Sequence, residues 1–215
     1  MVKHNLMEKE TYVYKLARFF SSLLYRGLYR VKLTGLENIP ENGAFILATN
    51  HASFLDPPLV GFALARPIYY FARKTLFRFW IGSWFLDRLN TIPVDRDGPS
   101  DIAAFKQVLS ILGQGHGMLI FPEGTRSRDG KLQAVKSGVG LLACRSQAIV
   151  VPTRIFGSYE ALSRHHKLPR FKGRLHVVYD KPMLPSEYDP QGPSKLRYAE
   201  ASNRIMNRIR ELRIP

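Results

Sequence analysis

The chain has 215 residues, one cysteine, and 32 Lys and Arg against 17 Asp and Glu, a formal net charge of +15. That length suits one domain that buries its core unaided, while a lone cysteine excludes an intrachain disulfide and a thiolate metal cluster and fits a reducing compartment. The charge calls for an anionic partner, with nucleic acid, phospholipid headgroups and acidic carrier proteins all eligible.

Taken in chain order, the first distinctive stretch has no acid between Glu10 and Glu37, and sets Lys15, Arg18, Arg26, Arg30 and Lys32 among Phe19, Phe20, Leu23, Leu24, Tyr25, Leu28 and Tyr29. Residues 1–35 are therefore expected to form a basic amphipathic segment lying on an anionic membrane surface, with 36–215 as the α/β domain. The longest uncharged run in the segment falls far short of the ~20 apolar residues that span a bilayer, and no signal-peptide pattern is present. A basic helix packed on the domain with solvated charges is the structural alternative.

Apolar runs at 44–49, 68–72, 117–121, 149–151 and 175–179 read as strands, alternating with helical stretches at 57–64, 102–112 and 136–145. The alternation predicts an α/β fold, a mixed and partly parallel sheet flanked by helices. Phe77, Trp80, Ile81, Trp84 and Phe85 recur at helical spacing and are expected to face the core, with a membrane-dipping face or an acyl-chain wall flanked by Arg78 and Arg88 as the alternative. Cys144 falls in an apolar helical run, a buried position rather than a catalytic thiol. Residues 164–176, with five Lys or Arg, three His and no acid, read as a surface loop. His165 and His166 there lack a ligand pattern, and no metal site is expected. Tyr198, Ala201, Ile205, Ile209 and Leu212 form a closing amphipathic helix.

The chemistry starts at Asn-His-Ala-Ser-Phe-Leu-Asp-Pro-Pro, residues 50–58, where His51 and Asp56 stand five apart. On a continuous helix they would diverge by roughly 140°, so only a turn brings them together. Pro57 suits a first helical position and makes Asp56 a candidate N-cap, with 51–55 folded back as a loop. If Nδ1 of His51 donates to Asp56, Nε2 is left as a base. Chance alone supplies roughly 0.2 such pairs in this composition, so the spacing needs company.

Company comes from Phe-Pro-Glu-Gly-Thr-Arg-Ser-Arg at 121–128, after a predicted strand. Gly124 permits close backbone approach, Thr125 and Ser127 offer hydroxyls, and Arg126 offers a planar fork suited to phosphate. Lys74 would add a compact charge. Glu123 either pins the loop or accepts from a substrate hydroxyl, and an ion pair between Glu123 and Arg126 is the structural alternative.

Asn-His-x-Ser-x-x-Asp at 50–56, followed about 65 residues later by Phe-Pro-Glu-Gly-Thr-Arg-Ser at 121–127, resembles the 1-acylglycerol-3-phosphate branch of the glycerolipid acyltransferases. Lys-x-Leu-Phe at 74–77, Ile-Pro-Val-Asp-Arg at 92–96 and Val151-Pro152 resemble further family blocks. This chain departs from the pattern with Asn90 where the family has glycine, and with Pro93-Val94 where it has Phe-Ile. The resemblance implies that His51, oriented by Asp56, deprotonates a lysophospholipid hydroxyl that attacks an acyl thioester directly, without an acyl-enzyme. It further implies that Lys74, Arg96, Glu123, Gly124, Thr125, Arg126 and Ser127 bind the substrate, and that no cofactor is needed beyond acyl-ACP or acyl-CoA as cosubstrate. The expected partners are a lysophospholipid acceptor, the thioester donor and an anionic membrane surface, with no nucleic acid, and the expected location is peripheral or monotopic on the cytoplasmic face. Other acceptors, such as another lysolipid or glycerol 3-phosphate, and a non-enzymatic basic module binding membrane or nucleic acid remain as alternatives.

Overall fold

The computed structural model describes residues 10–95, 102–166, 168–171 and 174–215. Seven strands form one sheet: β1 (Lys32–Thr34), β2 (Phe45–Thr49), β3 (Ile68–Arg73), β4 (Thr91–Val94), β5 (Gly117–Ile120), β6 (Ile149–Phe156) and β7 (His176–Tyr179). Their order is β1-β7-β6-β2-β5-β3-β4, and every pairing is parallel except β6 with β7. The predicted class, a mixed and partly parallel sheet flanked by helices, is the observed one. The sequence reading omitted two short strands, β1 and β4. Both lie at sheet edges, where half-exposed residues break the apolar run, and Pro93 in β4 is tolerated at an edge because its missing N–H disrupts no inner ladder.

Central β2 is buried at all five positions, as a strand covered on both faces requires. Side chains alternate between faces with period two. Phe45 and Leu47, with Leu119 and Val151, enter one core together with Tyr25, Tyr29, Leu59 and Val60. Ile46 and Ala48, with Met118, Ile120 and Val150, enter the other. That second core is closed by α4 (Ile102–Gly113), α5 (Gly138–Ser146) and, after the short α6 (Ser158–Leu162) and α7 (Pro185–Tyr188), by α8 (Ser194–Glu211), through Val108, Ala143 and Ile205. The result is a three-layer α/β/α arrangement in which β2, β5 and β6 release their following loops at one edge.

The amino-terminal helix α1 (Tyr12–Leu23) continues into a π-helical turn, Leu24–Leu28. Thr11 caps it, accepting from the Tyr14 N–H at 3.1 Å, and its own hydroxyl donates to the carbonyl of Arg88 at 2.9 Å. The segment is docked rather than wholly turned outward: the Tyr14 hydroxyl accepts from Ile68 N–H, the Tyr25 hydroxyl donates to Leu55 O, and Tyr25 and Tyr29 are buried. Leu16, Phe19, Phe20 and Leu23 remain exposed.

The aromatic stripe corrects an expectation. Helix α3 (Trp80–Arg88) buries none of its residues; Phe79 before it and Trp80 at its start are 77% and 79% exposed. The reason is position: α3 lies beside the 3₁₀ turn Lys74–Phe77 and edge strand β4, where the sheet has ended, and so has no sheet face to cover. Periodicity identified an apolar face but not its neighbour.

Candidate active site

The loop after β2 folds back on itself as the 50–58 spacing requires. Nδ1 of His51 lies 2.9 Å from Oδ2 of Asp56, and the same oxygen accepts the backbone N–H groups of Ala52 and Ser53, each at 2.7 Å. Because both amides point their hydrogens at Oδ2, that oxygen is an acceptor, Nδ1 is the donor, and Nε2 carries the lone pair. Asp56 is 0% exposed and His51 6%. Asp56 is the first residue of α2 (Asp56–Gly61), with Leu55 at the cap position. This corrects the expected N-cap role: the carboxylate is turned back into the loop rather than onto the amides of its own helix. Ser53 shapes the turn, its hydroxyl accepting from Leu55 N–H at 3.1 Å. The imidazole stacks on Phe121, with ring centroids 3.9 Å apart, so it is held by a hydrogen-bonded carboxylate at one edge and by an aromatic face.

The loop after β5 is joined to the base loop through the backbone of His51 itself. The N–H of His51 donates to Oε1 of Glu123 at 3.0 Å, and its carbonyl accepts from Ser127 N–H at 2.7 Å. Oε2 of Glu123 takes the N–H of Gln133 at 2.9 Å. Glu123 is 2% exposed, and burial raises its carboxyl above the ordinary range against the lowering effect of its two amide donors. Ser127 is equally buried, donating to Lys131 O at 2.8 Å. Glu123 thus takes the loop-pinning position of its two readings, and Ser127 is likewise turned from the expected substrate contact, because each side chain points into the loop's interior, where amides and carbonyls need partners.

Gly124 and Thr125 are exposed at the tip, and Gly124 holds φ +67°, a conformation that costs glycine nothing. A Cβ there would stand 2.9 Å from Cδ and 3.3 Å from Nζ of Lys136, so the Lys136 ammonium lies across the tip. The guanidinium of Arg126 sits 3.5 Å from the ring centroid of Phe54, a residue of the base loop that is otherwise exposed. Sequence reading missed Lys136 and Phe54. No spacing signals Lys136, which comes back to the tip only because its N–H closes on Pro122 O at 2.9 Å.

Lys74 is exposed at the carboxyl end of β3, on the edge of the sheet shared with the 121–127 loop, and no hydrogen bond or ion pair among the described residues ties it to that loop. Arg96 lies outside the described residues. Asn90 adopts φ +53° and is buried. In this left-handed conformation asparagine is the best non-glycine occupant, which accounts for its standing where the resembled family has glycine. Cys144 is buried, its thiol pushed up to about 11 by burial and then by Asp189. No serine or cysteine side chain is hydrogen-bonded to His51, and no group of three metal-ligating side chains assembles, among the described residues.

A sequence model of the family described as Acyltransferase matches residues 30–156. The 1-acyl-sn-glycerol-3-phosphate acyltransferase of Bacillus subtilis is 32% identical over 184 residues, which cover 85% of this chain and 87% of that protein. The chloroplastic 1-acyl-sn-glycerol-3-phosphate acyltransferase LPAT1 of Arabidopsis thaliana is 27% identical over 176 residues, 81% of this chain and 49% of the plant protein, so the chain spans about half the length of that relative. The crystal structure of the 1-acyl-sn-glycerophosphate (LPA) acyltransferase PlsC from Thermotoga maritima aligns with a TM-score of 0.71 at 25% identity, over 99% of this chain and 87% of that one. With the family model covering both the base loop and the loop that holds it, this chain belongs to the acyltransferase family.

Proposed function

We propose that the protein transfers a fatty acyl group from an acyl thioester, carried by acyl carrier protein or coenzyme A, to the sn-2 hydroxyl of 1-acylglycerol-3-phosphate, giving phosphatidic acid. One observation carries the reading: a buried carboxylate fixes Nδ1 of His51 as donor and leaves Nε2 as the base. The names of the Bacillus and Thermotoga relatives supply the acceptor. Nε2 takes the proton as the hydroxyl oxygen attacks the thioester carbonyl. As the tetrahedral adduct collapses the C–S bond breaks, and the imidazolium returns the proton to the thiolate. Asp56 stabilises the imidazolium between these steps. The acceptor phosphate is held by Arg126, the Gly124–Thr125 tip, Lys136 and Lys74, which brings the hydroxyl to His51 at reacting distance. Glu123 and Ser127 act behind the loop as posts. No cofactor enters this scheme.

The exposed apolar side chains of α1 and of the stretch around α3 are joined where Thr11 meets Arg88, and Arg26 and Arg30 add positive charge nearby in sequence. They support a protein that lies on an anionic membrane surface, from which a lysolipid reaches the site, and we take that surface to be the cytoplasmic face. No helix among the described residues is long and apolar enough to cross a membrane.

Purified protein assayed with both thioester donors and several lysolipids, following thiol release and lipid product together, tests the activity. His51→Ala should lower turnover at least ~10²-fold; near-normal transfer by that variant, or none by the wild type with any pair, overturns the reading.

A further inference from the structure

A second cationic place lies on the β6 side of the base loop. A cavity of ≈ 560 Å³ is bounded by the loop after β5, the end of β6 and the carboxyl end of α8, and it contains Lys131, Arg154, Arg210 and Arg213 against a single carboxylate, Glu160. Neither Thr125 nor Arg126 lines it, so it is distinct from the tip assigned to the acceptor phosphate. Its volume falls within the ~300–1,000 Å³ of small-molecule sites, far more than one phosphate needs.

Arg154, Arg210 and Arg213 form no salt bridge among the described residues, although the carboxylate of Glu123 feels the charge of Arg210 and that of Asp129 the charge of Lys131. Nη1 of Arg154 donates to the carbonyls of Arg210 and Leu212, at 2.8 and 2.9 Å, and its guanidinium lies 4.9 Å from the Phe156 ring centroid. Nη1 of Arg210 donates to Oδ1 of Asn207, a neutral partner. Burial, and after it the charge of Arg213, disfavours the protonated form of Arg154, a repulsion that an anion between the two would relieve. The cavity also touches the catalytic loop, because Asn50 and Ala52, the residues on either side of His51, form part of its wall. Asn50 is fixed there by a two-way bond, its Nδ2 donating to Ile155 O at 3.0 Å and its Oδ1 accepting from Ile155 N–H at 2.8 Å.

Two cationic places beside one base match a reaction with two phosphate-bearing substrates. Resting on the activity proposed above, we infer that this cavity takes the 4′-phosphopantetheine arm of the acyl donor, with the phosphate among Arg154, Arg210 and Arg213 and the arm running along Asn50 and Ala52 toward His51. The arm is common to acyl carrier protein and coenzyme A, so one site serves either source.

Calorimetric titration of the full chain with 4′-phosphopantetheine and with pantetheine, which lacks the phosphate, tests the inference. The comparison is made in wild type, in Lys131→Ala/Arg213→Ala and in Arg210→Ala, each checked for an unchanged melting temperature. Each variant should weaken phosphopantetheine at least ~10-fold, the scale of a lost charge-assisted bond, and leave pantetheine within ~2-fold. In acyl transfer the donor KM should rise while the acceptor KM holds. Parallel titrations with coenzyme A and with phosphopantetheinylated carrier protein tell the sources apart, and the variants should weaken whichever binds. Absent or unchanged phosphopantetheine binding, an equal loss for pantetheine, or a rise confined to the acceptor KM each overturns the inference. Phosphate-dependent binding in a protein that transfers no acyl group would instead overturn the activity and leave the site standing. A variant that melts early is replaced by Lys131→Glu, whose exposed side chain can reverse its charge without disturbing the carboxyl end of α8.

Discussion

The base loop and the α1–α3 face are built on opposite terms. In the first, polar groups are buried and bound several times over: Oδ2 of Asp56 takes three donors, and Glu123 holds one backbone N–H on each oxygen. In the second, large apolar groups stand in the open, from Phe19 and Phe20 on α1 to Trp80 and Ile81 on α3. Each arrangement costs free energy in water taken alone, since buried charge needs partners and exposed apolar surface needs cover. The polar cost is met within the chain by hydrogen bonds already in place, save at Oδ1 of Asp56, which is buried without a hydrogen-bond partner among the described residues. The apolar cost is left for something outside it, which on the activity proposed above is a lipid surface.

That contrast can be broken at several points. The largest effect is expected at Asp56→Asn, which keeps the shape and lets the amide oxygen accept the same three N–H groups, but removes the negative charge that would stabilise an imidazolium and leaves an –NH2 buried in the place of Oδ1, where no acceptor meets it. Turnover should fall by ~10² or more, and a steady-state assay with rates within a few-fold of wild type would show that the preformed pair is not used. Next comes Arg126→Ala, which removes the guanidinium proposed to hold the phosphate and its stacking on Phe54. An acceptor KM raised ~10-fold with a smaller fall in kcat is expected; if only the donor KM moves, the tip has been assigned to the wrong substrate. The smallest effect belongs to the apolar face. Trp80→Ser/Ile81→Ser should reduce partition onto anionic vesicles several-fold, each side chain contributing about 1.5–3 kcal/mol at full burial and less when it only dips. The variant should leave transfer to a short-chain, water-soluble acceptor unchanged. Vesicle sedimentation identical to wild type would mean that the face serves something other than lipid.

The same contrast explains what could be read from the sequence. The strands that deliver the two loops were visible because a strand buried on both faces is a continuous apolar run, as at 45–49. The pairing of His51 with Asp56 was visible because five-residue spacing next to Pro57 excludes a helix. Three features were hidden. The aromatic stripe shows the same period whether a sheet or a lipid covers it, so its exposure could not be read from spacing. The choice between the two readings of Glu123 depends on Gln133 N–H, ten residues away across a loop with no repeat. The approach of Lys136 to Gly124 is likewise a product of loop closure. Asn90 lies between these cases: its residue type tolerates a left-handed backbone, but only the fold shows that one is required there.

His51 gives both its N–H and its carbonyl to the loop that carries Gly124, Thr125 and Arg126. Taken as the base and the anion cradle proposed above, the two act as a caliper whose jaws are set when the chain folds. On the proposed chemistry, regioselectivity then becomes a matter of reach: the alcohol that reacts is the one whose bond count from the phosphate fits the gap, whatever the length of the acyl chain beside it.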